Sequence, residues 1–247
     1  MRLFVSMLVL MAAALCGAKE YFVSVSGNDR GPGTREQPFR TIAKASSLAK
    51  PGDIVTLRGG IYRELVTLRK NVSGAPGKPI VFRGAPGETA LLSAGYPITQ
   101  SWKKTPGYRF VWQSKSPYAV NMLFDSRLIT RYLPVDSMEL LDRQPGAYLL
   151  DRKTGDLFIN TYTGRDPNGL HIVVVPWFGG KTEAGFAGGL TGDIPQPYSA
   201  STKGLYRWNK GILVYGSHLV FENLHFAFFP GQAIRVNSPA SYVTVRN

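Results

Sequence analysis

Apolar and polar residues alternate over several short stretches of this chain. Val55 and Leu57 are interleaved with Thr56 and Arg58, and Val66 and Leu68 with Thr67 and Arg69. A period of two gives an extended strand one apolar face. Gly59, Gly60, Gly74, Gly84 and Gly87 interrupt the runs and supply the corners between them. The stretch then repeats. Asp53-Ile-Val-Thr-Leu-Arg-Gly returns 25 positions later as Lys78-Pro-Ile-Val-Phe-Arg-Gly, and Leu65-Val-Thr-Leu returns as Ala90-Leu-Leu-Ser. At that offset Val55 meets Ile80, Leu57 meets Phe82, Arg58 meets Arg83 and Gly59 meets Gly84. A β-rich unit this short has too little apolar surface to fold alone, so successive units must stack into a solenoid. The expected fold is all-β, a parallel β-helix. A leucine-rich repeat would need a Leu-x-x-Leu-x-Leu frame with an Asn, and that frame is absent from the stretch.

Before the repeat, Tyr21 to Val25 alternates as a strand and residues 26–33 are dense in turn formers. Residues 38–49 place Ile42, Ala45, Leu48 and Ala49 on one helical face, and Pro51-Gly52 stops the helix. A solenoid has an open apolar end, which this helix is placed to cap. From Tyr96 to Trp208 the rhythm is lost. Met122 to Ile129 reads as a hairpin turning at Asp125-Ser126, Tyr148 to Asn160 as another with Gly155 in a left-handed turn, and His171 to Val175 as an apolar strand ended by Pro176. These elements predict an inserted antiparallel subdomain, with residues 179–203 as a long exposed loop. Coils resume near Lys210. Gly211 to Ser217 is answered by Ala233 to Ser238, and His218 to Asn223 by Tyr242 to Asn247. Asn223 and Asn247 fall 24 apart at matching strand ends, as stacked amides or as two ordinary turn asparagines. The chain stops directly after a strand, which predicts a fragment lacking further coils.

Residues 2–18 hold Arg2, an apolar run from Leu3 to Leu15 and the small-residue close Cys16-Gly17-Ala18, the three zones of a secretory signal peptide cut after Ala18. The run is too short for a comfortable membrane span. The expected organisation is therefore 1–18 signal peptide, 19–95 cap and first coils, 96–208 insertion and 209–247 resumed coils. Cys16 is the single cysteine, so the mature chain has no disulfide, and export without disulfides points to a bacterial secreted, periplasmic or surface protein. Lys and Arg number 29 against 16 Asp and Glu, a net charge of +13. For an exported chain that excess favours acidic polysaccharide or envelope polymers as partners. Nucleic acid is disfavoured, because helix-turn-helix, zinc-ligand and RNA-binding signatures are all missing.

Tyr21-Phe-Val-Ser-Val-Ser-Gly-Asn-Asp, Pro32-Gly-Thr, Gln37-Pro-Phe, Thr41-Ile with Ala43-Lys-Ala, Pro51-Gly-Asp and Gly59-Gly-Ile-Tyr-Arg-Glu together resemble the amino-terminal signature of secreted right-handed parallel β-helix proteins of the pectate-lyase-like superfamily. The resemblance covers about residues 21–93. It implies the right-handed fold and a carbohydrate-related role, while the superfamily includes polysaccharide lyases, glycoside hydrolases and non-catalytic surface proteins. An insertion after the first coils resembles several of its glycoside hydrolases. Its lyases use a Lys or Arg base, often with calcium held on aspartates.

The coil segments 51–95 and 209–247 contain Asp53, Glu64, Glu88 and Glu222, with no aspartate cluster suited to calcium. No cofactor is evident, and calcium would enter only if the longer protein is a lyase. A glycosidase needs two carboxyl groups about 5 to 10 Å apart. Glu222 reads as an outward strand residue paired with Arg246 one coil on, and His218 and His225 as structural. Arg58 stacked on Arg83 is the most suggestive feature, because like charges about 4.8 Å apart are easier to understand with an anion across them. Splaying of both heads into water is the simpler alternative. Trp208 and Tyr215 are candidate sugar-stacking surfaces, with burial at the junction of insertion and coils as their other reading. The expected function is a secreted polysaccharide-degrading enzyme, hydrolase or lyase, with most catalytic residues beyond Asn247; a non-catalytic surface or adhesion protein is the alternative.

Overall fold

The computed structural model describes residues 17–116, 120–127, 130–176, 210–229 and 231–247. The proposed signal run, Trp208 and the 179–203 loop therefore lie outside the described residues, apart from Gly17 and Ala18. No helix among the described residues is long and apolar enough to cross a membrane.

Three parallel sheets wrap one core. The first holds Glu20–Val23, Ile54–Leu57, Ile80–Gly84, Leu219–Glu222 and Val243–Arg246 in that order. The second holds Gly60–Tyr62, Ala90–Ser93 and Leu224–Ala227, and the third holds Val66–Leu68, Lys210–Val214 and Gln232–Val236. Each coil visits the three sheets in turn. The inward members Val55, Leu57, Val66, Leu68, Ile80, Phe82, Ala90, Leu92, Ile212, Val214, Leu219 and Phe221 form one buried cluster. At about 25 cal/mol per Å² of apolar surface, such stacking is what holds coils whose strands are three to five residues long.

The repeat is real, but its register differs from the offset of 25. Ile54–Leu57 pairs with Ile80–Gly84 so that Val55 meets Phe82, Thr56 meets Arg83 and Leu57 meets Gly84. The slip is two residues, an even number, so every side chain keeps its face. Ala90–Ser93 pairs with Gly60–Tyr62 rather than with Val66–Leu68. The reason lies in the corner lengths: Arg58-Gly59 suffices between first and second sheets in one coil, while Ala85 to Thr89 fills the same corner in the next.

The helix α1 (Ile42–Leu48) closes the open end, with Thr41 accepting a hydrogen bond from Lys44 N as its N-cap. Ile42 and Ala45 are buried as expected, but Leu48 is 39% exposed and Ser46 takes an inward place. Glu64, in the corner after Gly60–Tyr62, accepts the amide N–H groups of Ile42 and Ala43 at 2.9 Å each. Burial pushes its carboxyl up to about 7, against those two donors, which pull it down.

The excursion departs after Ser93 and returns at Lys210, inside a single coil, where the second sheet would otherwise turn directly into the third. It forms its own eight-stranded sheet, in which Val120–Asp125 pairs antiparallel with Thr130–Pro134 and Ala147–Leu150 with Asp156–Asn160. Gly155 has φ 74°, as its hairpin requires. Ile172–Pro176 is buried throughout. The short helix α2 (Met138–Arg143), capped by Ser137, covers one face with Leu141. The excursion touches the coils where Arg63 Nε donates to Gly95 O at 2.9 Å, Arg63 lies over the Tyr96 ring, and Phe124 meets Phe228 at 5.4 Å.

In the resumed coils Leu219, Phe221 and Glu222 pair with Val243, Val245 and Arg246 at the expected offset of 24. Asn223 and Asn247 both take left-handed φ, 52° and 69°, although their amides do not bond to one another. The ladder that does form is serine. Ser217 N donates to Ser73 Oγ at 3.0 Å and Ser241 N to Ser217 Oγ at 3.1 Å, one coil above the next.

Candidate functional site

The outer face of the third sheet carries Thr67, Leu213 and Arg235 in one row across three coils. Arg69 and Tyr215 follow on their strands, with Tyr215 N donating to Leu68 O at 2.8 Å. Beside them the corner residues Lys70 and Asn71 complete a groove of about 530 Å³ lined by Thr67, Arg69, Lys70, Asn71, Leu213 and Tyr215. Thr67, Arg69, Lys70 and Asn71 are exposed, Tyr215 is half-buried and Leu213 is buried. Among the described residues the lining has two cations, an aromatic ring and short hydrogen-bonding side chains, and contains no carboxylate. Among the described residues Arg69, Lys70 and Arg235 take part in no ion pair.

Tyr215 is thus the sequence candidate that the fold brings to a groove. Arg58 and Arg83 lie elsewhere. With the register shifted by two, Arg83 stands beside Thr56, and Arg58 falls in the corner beyond the strand. Arg58 Nε binds Glu88 at 2.8 Å, and Glu88 also accepts from Gly59 N, whose hydrogen bond is the main cause holding that carboxyl below its ordinary value. Arg83 binds Glu20 at 2.9 Å and Thr56 Oγ at 3.1 Å. Burial works to raise the Glu20 carboxyl, but its bonds from Thr56 and Arg83 win and hold it low. No like-charge stack exists, so the argument for an anion between the two arginines loses its premise.

The remaining coil carboxylates are engaged as well. Asp53 accepts from Lys19 N and Lys50 N at 2.8 Å each, and Glu222 pairs with Arg246 at 2.7 Å as the sequence suggested. His218 stacks on Tyr242 with ring centroids 4.6 Å apart, and both take left-handed φ at one corner. Among the described residues no three His, Cys, Asp or Glu side chains converge to hold a metal ion. In the excursion Asp151 and Asp166 order turns through backbone amides, and Asp156 is held down at about 2 by hydrogen bonds from Thr154, Lys115 and Gln113.

Sequence reasoning missed Arg69, Lys70 and Asn71. The signal was present, because Arg69 follows Val66-Thr-Leu as Tyr215 follows Ile212-Leu-Val. Matching Leu65–Leu68 to Ala90–Ser93 hid it.

Residues 21–114 match the family described as Pel9A-like, right-handed β-helix region. A protein of Bacillus subtilis (strain 168), described as uncharacterized protein YwoF, is 42% identical over 91 residues, 36% of this chain and 19% of its own length. A solved structure described as a glycoside hydrolase superposes with a TM-score of 0.57 at 17% identity, covering 85% of this chain and 50% of its own. The crystal structure of pectate lyase Pel9A aligns over 94% of this chain and 39% of its own, with 16% identity and a TM-score of 0.36. The chain therefore spans half or less of the proteins it matches. The three-sheet winding makes this chain an all-β parallel β-helix, and its residues 21–114 are similar to the Pel9A-like right-handed β-helix region.

Proposed function

We propose that this chain belongs to an exported polysaccharide-degrading enzyme and that an acidic glycan lies along the third-sheet groove. The observation that carries the reading is the lining itself: Arg69 and Lys70 stand exposed beside Tyr215 with no carboxylate among the described residues to neutralise them. A guanidinium fork and an ammonium are suited to uronate carboxylates, and a phenol ring to a sugar face. Positive side chains at that place also favour β-elimination, since they would stabilise the enolate-like charge left when a proton is taken from the carbon beside the carboxylate. Hydrolysis would instead require two free carboxyl groups about 5 to 10 Å apart. The coil carboxylates named above are held by backbone amides or arginines.

The test is to incubate the full-length protein with polygalacturonate, alginate, xylan and glycosaminoglycan while following ultraviolet absorbance of unsaturated products and reducing ends together. Both signals should rise on a uronate polymer, and Arg69→Gln with Lys70→Gln should weaken binding about tenfold or more, roughly 1.5 kcal/mol for a charged hydrogen bond lost. Reducing ends without unsaturation would replace elimination by hydrolysis. Binding unchanged in the double variant would overturn the groove.

A further inference from the structure

Lys19 N lies 2.8 Å from Asp53 Oδ1, and the other oxygen of the same carboxylate accepts from Lys50 N at 2.8 Å. Asp53 is only 5% exposed, and no side-chain cation among the described residues bonds to it. The carboxylate is held by two neutral amides, and a positively charged donor at the same place would make a stronger, charge-assisted bond to it. That positive charge is one covalent step away. Lys19 follows Cys16-Gly17-Ala18, the small-residue close of the apolar leader run. Residues 17–20 are all exposed, so the Ala18–Lys19 bond is reachable.

We propose that the chain is processed between Ala18 and Lys19 and that the new α-ammonium group is held by the buried carboxylate of Asp53. This rests on the reading of the protein as exported. In the step a signal-cleaving endopeptidase directs water to the Ala18 carbonyl carbon. The carbon–nitrogen bond breaks, Ala18 leaves as a carboxylate, and the Lys19 nitrogen takes a proton. The amide N–H that bonds Asp53 becomes a charged donor at the same atom, which strengthens the bond without moving it. Ile54 N already donates to Lys19 O at 2.8 Å, so the ion pair would fix the first strand, Glu20–Val23, onto the next coil. Maturation would thereby complete the amino-terminal end of the solenoid.

The charged groups on this corner are Asp53 and the Lys19, Lys50 and Lys78 side chains; the position a Gly52 Cβ would take is 3.8 Å from Lys78 Cβ. Glu20 turns away to Thr56 and Arg83. The lysines disfavour the ammonium, and Asp53, which bonds its nitrogen at 2.8 Å, favours it. An amine whose value rises on folding contributes stability below its unfolded value, about 7.7 to 8.0, and loses it as pH climbs through the folded value.

The experiment begins with the intact mass of the protein exported by a bacterial host, which should start at Lys19. That protein is compared by thermal unfolding across pH with one beginning at Ala18, whose amine is displaced by a residue. The Lys19 form should fold about tenfold more favourably near neutral pH, one unit of amine shift, with the advantage vanishing above about pH 10. Asp53→Asn should erase the difference if it folds, and the Ala18 comparison stands without it. A different first residue, or equal stability of the two forms at every pH, would overturn the proposal while leaving the glycan groove untouched.

Discussion

Phe82 and Phe221 are 139 positions apart in sequence yet pair directly across adjacent strands of the first sheet, with ring centroids 5.4 Å apart and planes tilted by 17°. Each is 1% exposed. They meet only because the excursion leaves and returns within one coil, so their coupling tests the winding of the whole chain. Replacing either by Leu keeps an apolar side chain in place but removes the ring contact. A buried Phe→Ala change costs about 3 to 5 kcal/mol, and a swap closer in volume usually costs less than about 1.5 kcal/mol, so each single change should cost about 1 to 1.5 kcal/mol. Stacked aromatic pairs are worth about 0.5 to 1.5 kcal/mol beyond burial. The double variant should therefore lose less than the sum of the two singles by about that amount. Urea unfolding of the four proteins, followed by circular dichroism, measures the cycle. Additivity within about 0.3 kcal/mol, the behaviour of sites more than about 7 to 10 Å apart, would refute the pairing and with it the one-coil insertion.

Arg58→Gln with Arg83→Gln should leave retention on an acidic-glycan column unchanged, because both guanidiniums already face Glu88 and Glu20; the Arg83–Glu20 half should lower stability by about 0.2 to 1 kcal/mol. Glu64, raised to about 7 from 4.5, binds its proton more tightly in the folded chain, so stability should fall as pH rises from about 4.5 through 7 and level off above. Glu64→Gln should flatten that slope in thermal unfolding; a slope that persists would assign it elsewhere. Gly84→Ala puts a Cβ 2.1 Å from the Asn223 carbonyl oxygen and should cost about 1 to 3 kcal/mol, read as a lower urea midpoint. Asn223→Gly should be tolerated where Asn223→Ala costs about 1 kcal/mol, since φ there is 52°.

Alternation and repetition were enough to fix the kind of fold. Val55, Leu57, Val66 and Leu68 point inward because a period of two leaves them no other apolar partner, and the even slip of register preserved that assignment. The cap helix, the second hairpin with Gly155 and the pairing of Glu222 with Arg246 were legible for the same reason: each depends on neighbours a few residues away or on one regular coil offset. What lies between coils was not legible. A turn of two residues and one of five look alike in sequence, yet they decide whether Ala90–Ser93 lies beside Gly60–Tyr62 or against Val66–Leu68. The groove was hidden for a related reason, because Arg69 and Tyr215 are 146 positions apart and become neighbours only when Lys210–Val214 returns to pair with Val66–Leu68. Periodicity is a local property that side-chain chemistry writes into the chain, whereas coil register is set by corner lengths and by where the excursion closes, which only packed tertiary contacts determine.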